Sequence, residues 1–233
     1  MKRTLRLAAA AMLATSTAGA QTLLLDTFDA ENGGNSALNY ATFGQWNVVG
    51  AVDLVKSGDF GISCVGGVGA CVDLSGTASS SGSLISKTAF SFSAGDLVGV
   101  SFMASGNQRG YADDLLNLTL NFSSSTTFAS YAVDLGGAAF SGGPLLVGGG
   151  YGVGRLIGSS EAFSLWTIQF VAANAGSFTV GIGTTSDDNV GPMIDDVNIG
   201  IAAGTVVPEP ATWTLMLSGL GMLGVAARRR RKA

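Results

Sequence analysis

The residue types that carry most enzyme chemistry are scarce in this chain. Its 233 residues include no histidine. That removes Ser-His-Asp triads, Cys-His pairs and the usual zinc hydrolase sites. Ser86 and Lys87 are neighbours in a predicted strand, so their side chains point to opposite faces and make no dyad. The acids come in adjacent pairs, Asp113-Asp114, Asp187-Asp188 and Asp195-Asp196. A glycosidase places two carboxyls about 5–10 Å apart across a cleft, and neighbours on one strand do not supply that. The expectation is a protein with no catalytic residues.

Binding chemistry is better represented. Sugar recognition needs flat aromatic faces beside hydrogen-bonding side chains, and Tyr40, Trp46, Asn107, Arg109, Tyr111 and Tyr151 are the residues of that kind. Trp46 shares its phase with Val48, which also suits a core position, since aromatic side chains usually serve burial. Asn107, Arg109, Tyr111 and Tyr151 are therefore the expected ligand-binding set. Asp195 is a further oddity. The alternation of residues 193–201 puts it on the side of Val197, Ile199 and Ile201, where a bare carboxylate is costly. Its partner would be backbone amides, a cationic side chain or a metal, and the shortage of Lys and Arg favours amides or a metal.

The two ends set the context. Lys2, Arg3 and Arg6 precede a short apolar run, and Ala18-Gly19-Ala20 is a small-x-small cleavage site, so residues 1–20 read as a secretory signal peptide. At the other end, Val207-Pro208-Glu209-Pro210 breaks any preceding strand. Residues 211–227 carry no charge, and residues 228–232 are five cations. An apolar stretch of roughly 17–25 residues crosses a bilayer, with its basic flank on the cytoplasmic side. Residues 21–205 are then an exported body. It holds four cations, Lys56, Lys87, Arg109 and Arg155, against fifteen acids, a net charge of −11. Such a body repels nucleic acid, whose recognition depends on Lys and Arg. Cys64 and Cys71, the only cysteines, flank a glycine turn, and in an oxidising compartment they are expected to form a disulfide.

The body must position these residues on strands, because short alternating runs recur and helical periodicity is absent. Strands are expected at residues 23–26, at 45–56 as two pieces around Gly50, and at 84–92, 97–104, 115–122, 163–171, 177–183 and 193–201. Leu116, Leu118, Leu120 and Phe122 share one face of the clearest of these, and Trp166 is in phase with Ile168 and Phe170. Residues 27–35 read as an acidic loop. Residues 136–158 read as a glycine-rich mobile surface loop, without the Lys-Ser/Thr of a phosphate loop.

Val207-Pro208-Glu209-Pro210, the short apolar helix and the terminal Arg cluster resemble the PEP-CTERM sorting signal of Gram-negative bacteria. In that family an exosortase, a membrane transpeptidase, processes the tail near the motif. An uncut tail anchor is the alternative. The resemblance implies export through an inner-membrane intermediate to the cell surface or extracellular matrix. A second resemblance rests on Phe28-Asp29, Trp46-Asn47-Val48, Val52-Asp53-Leu54 and the final Ile194-Asp195-Asp196-Val197. These are similar to galactose-binding-like jelly-roll domains, a form shared by many secreted carbohydrate-binding modules. The segment Ser105-Gly106-Asn107-Gln108-Arg109-Gly110 with Asp113-Asp114 also looks like exported PEP-CTERM proteins. The jelly-roll resemblance implies that first and last strands lie together, often with a structural Ca²⁺. Asp29, Glu31 and Asp195 are the expected ligands, with Asp26 in reserve, and Asp29 stands where that family more often has Glu. The alternative is that Asp29 and Glu31 are solvated loop acids and Asp195 caps backbone amides.

The sequence thus predicts an all-β, two-sheet antiparallel β-sandwich of jelly-roll type between a signal helix and a transmembrane tail. Its expected partners are an exosortase and extracellular polysaccharide. A purely structural or adhesive envelope protein with no defined ligand site is the competing reading.

Overall fold

Alternating apolar residues and frequent glycine turns give fifteen strands among the described residues. In the computed structural model, which describes residues 20–77, 80–137, 145–147, 150–186 and 188–204, they are β1 (Ala20–Asp26), β2 (Trp46–Gly50), β3 (Asp53–Lys56), β4 (Ala70–Asp73), β5 (Ser75–Gly76), β6 (Ser80–Ser86), β7 (Phe90–Phe92), β8 (Leu97–Ser105), β9 (Asp114–Phe122), β10 (Phe128–Leu135), β11 (Leu145–Val147), β12 (Gly150–Ile157), β13 (Ser164–Ala172), β14 (Gly176–Thr184) and β15 (Met193–Ala202). One sheet runs β10-β13-β8-β15-β4-β3, with β1 paired to β15; the other runs β11-β12-β9-β14-β6-β2, with β5 on β6 and β7 on β14. From β8 to β10 and from β12 to β15, each successive strand crosses to the opposite sheet, the interleaving that makes a jelly roll.

The core lies between the sheets. Leu116, Leu118 and Leu120 of β9 face Val98, Val100 and Phe102 of β8, with Trp46, Trp166, Phe170 and Phe178 filling the space between. A second, smaller cluster lies outside the first sheet: Val55, Ile62, Cys64, Cys71 and Met193, with Phe163 against it. The Cys64–Cys71 disulfide is formed and closes the loop over this cluster.

Three expectations change. Residues 84–92 are two strands rather than one, β6 and β7, and both pair with β14. Residues 150–157, assigned to a mobile loop, are instead strand β12, paired with β9 along eight positions. The apolar residues Tyr151 and Val153 alternate with Gly152 and Gly154 there, and β pairing with β9 supplies what glycine lacks in propensity. Asp195 does not share a face with Val197. The β8–β15 register shifts between Asp195 and Asn198, and Asp196 has φ +50°. This bulge inserts one residue and reverses the phase. Ile194, Val197 and Ile199 therefore face the main core, while Met193 faces the outer cluster and Asp195 lies on that side.

Ala20, the last residue of the expected signal peptide, is the first of β1. The rest of that peptide, and the expected tail with Val207, Pro208, Glu209 and Pro210, lie outside the described residues. Among the described residues no helix is long and apolar enough to cross a membrane.

Candidate functional site

The expected calcium ligands sit on the loop after β1 and on the β15 bulge. Asp29 Oδ1 accepts from the Ala70 amide at 2.8 Å and Oδ2 from the Thr27 hydroxyl at 3.1 Å. Gly69 makes that first bond feasible: at φ +69° it passes so close that a Cβ would collide with Asp29 Oδ1. Asp195 Oδ2 accepts from Val65 N at 3.1 Å and Oδ1 from Asp196 N at 2.8 Å, so its buried charge is met by backbone amides. Burial raises its carboxyl to about 7, and the negative charges of Asp196 and Asp29 push the same way against the two amides. Glu31 is bonded to a different part of the chain, with Oε1 accepting from Gly44 N at 2.7 Å and Oε2 from the Tyr40 hydroxyl at 3.2 Å. Asp26, the reserve, accepts from Phe28 N and from the Trp46 indole N–H. Among the described residues no three His, Cys, Asp or Glu side chains converge to hold a metal ion. The three expected ligands do not form a shared cage.

Of the expected ligand-binding set, Asn107, Arg109 and Tyr111 share the β8–β9 loop and Tyr151 lies elsewhere. Asn107 is fully buried, with Nδ2 donating to Ala112 O and Asp114 Oδ2 and Oδ1 accepting from Arg109 N. It folds the β8–β9 loop and presents nothing to a ligand. Tyr151 is on β12, not in a loop. Its ring lies 4.4 Å from that of Phe128 and 5.5 Å from that of Phe122, and its hydroxyl donates to Thr126 O. Tyr111 is exposed. Arg109 lies 3.6 Å from Asp73 Oδ2. Trp46 and Trp166 are both core.

Arg109 reveals a buried acid group that sequence reading missed. Asp53 and Asp73 are partners across β3 and β4, so their side chains share a face. Asp73 is 0% exposed; Oδ1 accepts from Ser75 N and Gly191 N, while Oδ2 has no hydrogen bond. Burial raises its carboxyl to about 7, with the two amides and Arg109 opposing and Asp53 adding. Asp53 accepts from Asn39 N at 2.6 Å and is also raised by burial. Closed off from solvent, this pair fastens loops at one end of the sandwich. At the same end, burial raises Asp114 too, and Asp188 and Asp113 push in the same direction.

The open face of the second sheet is the better candidate. A trough of about 460 Å³ crosses β6, β9, β12 and β14, lined by Ser83, Ile85, Leu115, Asn117, Thr119 and four glycines. Register explains its shape. Thr119 lies between Gly152 and Gly181, and Asn117 between Gly154 and Gly183. Side chains at three of these glycines would fill it: a Cβ at Gly154 would strike Asn117 Oδ1, one at Gly181 Thr119 Oγ1, and one at Gly183 Ser83 Oγ. The result is a flat floor with hydroxyl and amide groups lying along it. The signal was present in the sequence as the alternations Gly152-Val153-Gly154 and Val180-Gly181-Ile182-Gly183.

The solved structures similar to this chain include the CBM22-1 xylan-binding domain of Paenibacillus barcinonensis Xyn10C, at 12% identity over 79% of this chain and 97% of that one, with a TM-score of 0.44. The family 11 carbohydrate-binding module of Clostridium thermocellum Lic26A-Cel5E matches at 13% identity over 82% and 97%, with a TM-score of 0.32. The C. thermocellum Xyn10B CBM22-1-GH10 structure matches at 15% identity over 80% of this chain, TM-score 0.39, and the match spans only 29% of that longer chain. No curated protein matches in sequence. Residues 206–231 match the PEP-CTERM protein-sorting motif, which marks the chain as an exported, membrane-processed protein.

Proposed function

We propose that this chain is a non-catalytic protein of the cell surface or extracellular matrix that associates with polysaccharide through the trough on its second sheet. An exosortase would process the tail, with a Gram-negative envelope as the setting. The observation that carries this reading is the glycine floor under Asn117 and Thr119. It leaves a flat surface on which the C–H face of a sugar can lie. Ile85 and Leu115 offer apolar contact, and Ser83, Asn117 and Thr119 offer hydrogen bonds to hydroxyls.

The test is binding of the purified protein to the producing organism's own extracellular polysaccharide. Asn117→Ala with Thr119→Ala removes two hydrogen-bonding groups worth about 1 kcal/mol each, so affinity should fall roughly tenfold or more. Tyr151→Phe, which loses only the bond to Thr126 O, should bind as the parent does. An absence of saturable binding by the parent would favour the structural or adhesive reading instead.

A further inference from the structure

Resting on the trough reading, we infer that the protein has a second glycan-binding trough on the opposite face of the sandwich and so cross-links two molecules of the same polysaccharide. This second trough, of about 410 Å³, lies on the outer face of the first sheet across β1, β8, β13 and β15. Glycines on neighbouring strands make it, as they do on the other side. Gly99 of β8 is level with Gly200 of β15, and the same row carries Gln169 of β13 on one flank and Thr22 of β1 on the other. The next row holds Thr167, Ser101 and Asn198. With no side chain at Gly99 and Gly200, the middle of the sheet is open to close approach, and amide and hydroxyl groups stand around it.

The chemistry of the two faces matches. Neither lining includes a charged side chain, in a body with fifteen acids and four cations. Both set glycine, hydroxyl and carboxamide groups beside aliphatic contacts, Leu97 and Leu165 here and Ile85 and Leu115 opposite. Among the described residues, the side chains of Thr22, Ser101, Thr167, Gln169 and Asn198 spend no hydrogen bond inside the protein. The amides of Asn32, Asn35, Asn39, Asn107, Gln108 and Asn174, by contrast, are all committed to the protein itself. The free groups are available to sugar hydroxyls, and exposed Leu97 and Leu165 meet the C–H faces. The two troughs cannot share one short ligand. Packed sheets stand roughly 10 Å apart, and the aromatic core fills the layer between them. Each outer face therefore holds its own polymer, and polymers that meet many copies of the protein are tied together at each one.

The experiment uses the purified protein, the producing organism's own extracellular polysaccharide and a hexasaccharide cut from that polymer. Calorimetry should give two hexasaccharides per protein. Light scattering with the intact polymer should rise as protein is added and fall again in protein excess, when separate copies saturate each polymer. Excess hexasaccharide should reverse the rise. Gln169→Ala with Asn198→Ala should weaken one of the two sites roughly tenfold or more, leave the other at the parent's affinity and remove most of the scattering. Asn117→Ala with Thr119→Ala should do the same from the other face. One hexasaccharide per parent protein, bound at the Asn117 and Thr119 face, would overturn the second trough alone. So would parent-like scattering by the Gln169→Ala, Asn198→Ala variant, the result expected of a dimer with one site on each copy. No binding of polymer or hexasaccharide by the parent would overturn the trough reading and this inference with it.

Discussion

The folded protein should lose stability as pH rises from 5 to 8, and Asp73 should account for a large share of the loss. Its carboxyl is fully buried, and burial raises its pKa from 3.8 to about 7. In an unfolded chain that group ionises near pH 4. Between pH 4 and 7 the folded state therefore holds a proton that the unfolded state has released, and the stabilisation present at low pH disappears as pH climbs through about 7. The full span corresponds to ~4 kcal/mol, of which roughly 2–3 kcal/mol falls between pH 5 and 8. Asp195, also raised to about 7, acts in the same direction. Glu161, lowered by its bond to Arg155, acts in the opposite direction, but only in more acidic solution. Asp73→Asn keeps an oxygen for the Ser75 and Gly191 amides and removes the ionisation. Urea unfolding at constant ionic strength should give parent stability that falls with pH. The variant's slope should be shallower by up to about 1.4 kcal/mol per pH unit, and the variant should be at least as stable as the parent at pH 8. A parent curve that is flat or rises from pH 5 to 8, or a variant with the parent's slope, would refute the reasoning.

Two further outcomes are expected. Replacing Cys64 and Cys71 by Ser opens a short loop and should cost about 2–3 kcal/mol, read as a lower urea midpoint, because the same bond covers the Val55, Ile62 and Met193 cluster. Calcium or a chelator should leave the melting temperature unchanged, since Glu31 is bonded to Gly44 and Tyr40 and not to the loop that Asp29 and Asp195 hold; a calcium-dependent rise of several degrees would instead assign an ion to Asp29 and Asp195.

The sequence by itself determined the strand content and much of the core. Period-two runs such as residues 115–122 announce which face is buried, and Trp166 follows from its phase with Ile168 and Phe170. The cysteine pair, the sorting motif and the lack of histidine were equally direct, because each depends on residue identity within a short span. What failed were assignments that depend on long-range pairing. Residues 150–157 carry too much glycine to read as a strand, and only β9 alongside makes them one. Asp195 was given the wrong face because a single-residue bulge, invisible in the pattern, reverses every position before it. Asn107 and Arg109 looked like binding groups in a polar loop, yet packing turns Asn107 to Asp114, seven positions on, and Arg109 to Asp73, 36 positions back, and the local alternation shows neither meeting. The trough likewise exists only where glycines of β12 and β14 come level with Asn117 and Thr119 of β9. Local alternation fixes which residues form strands, whereas register between distant strands decides which side chains meet, and a functional surface is made of such meetings.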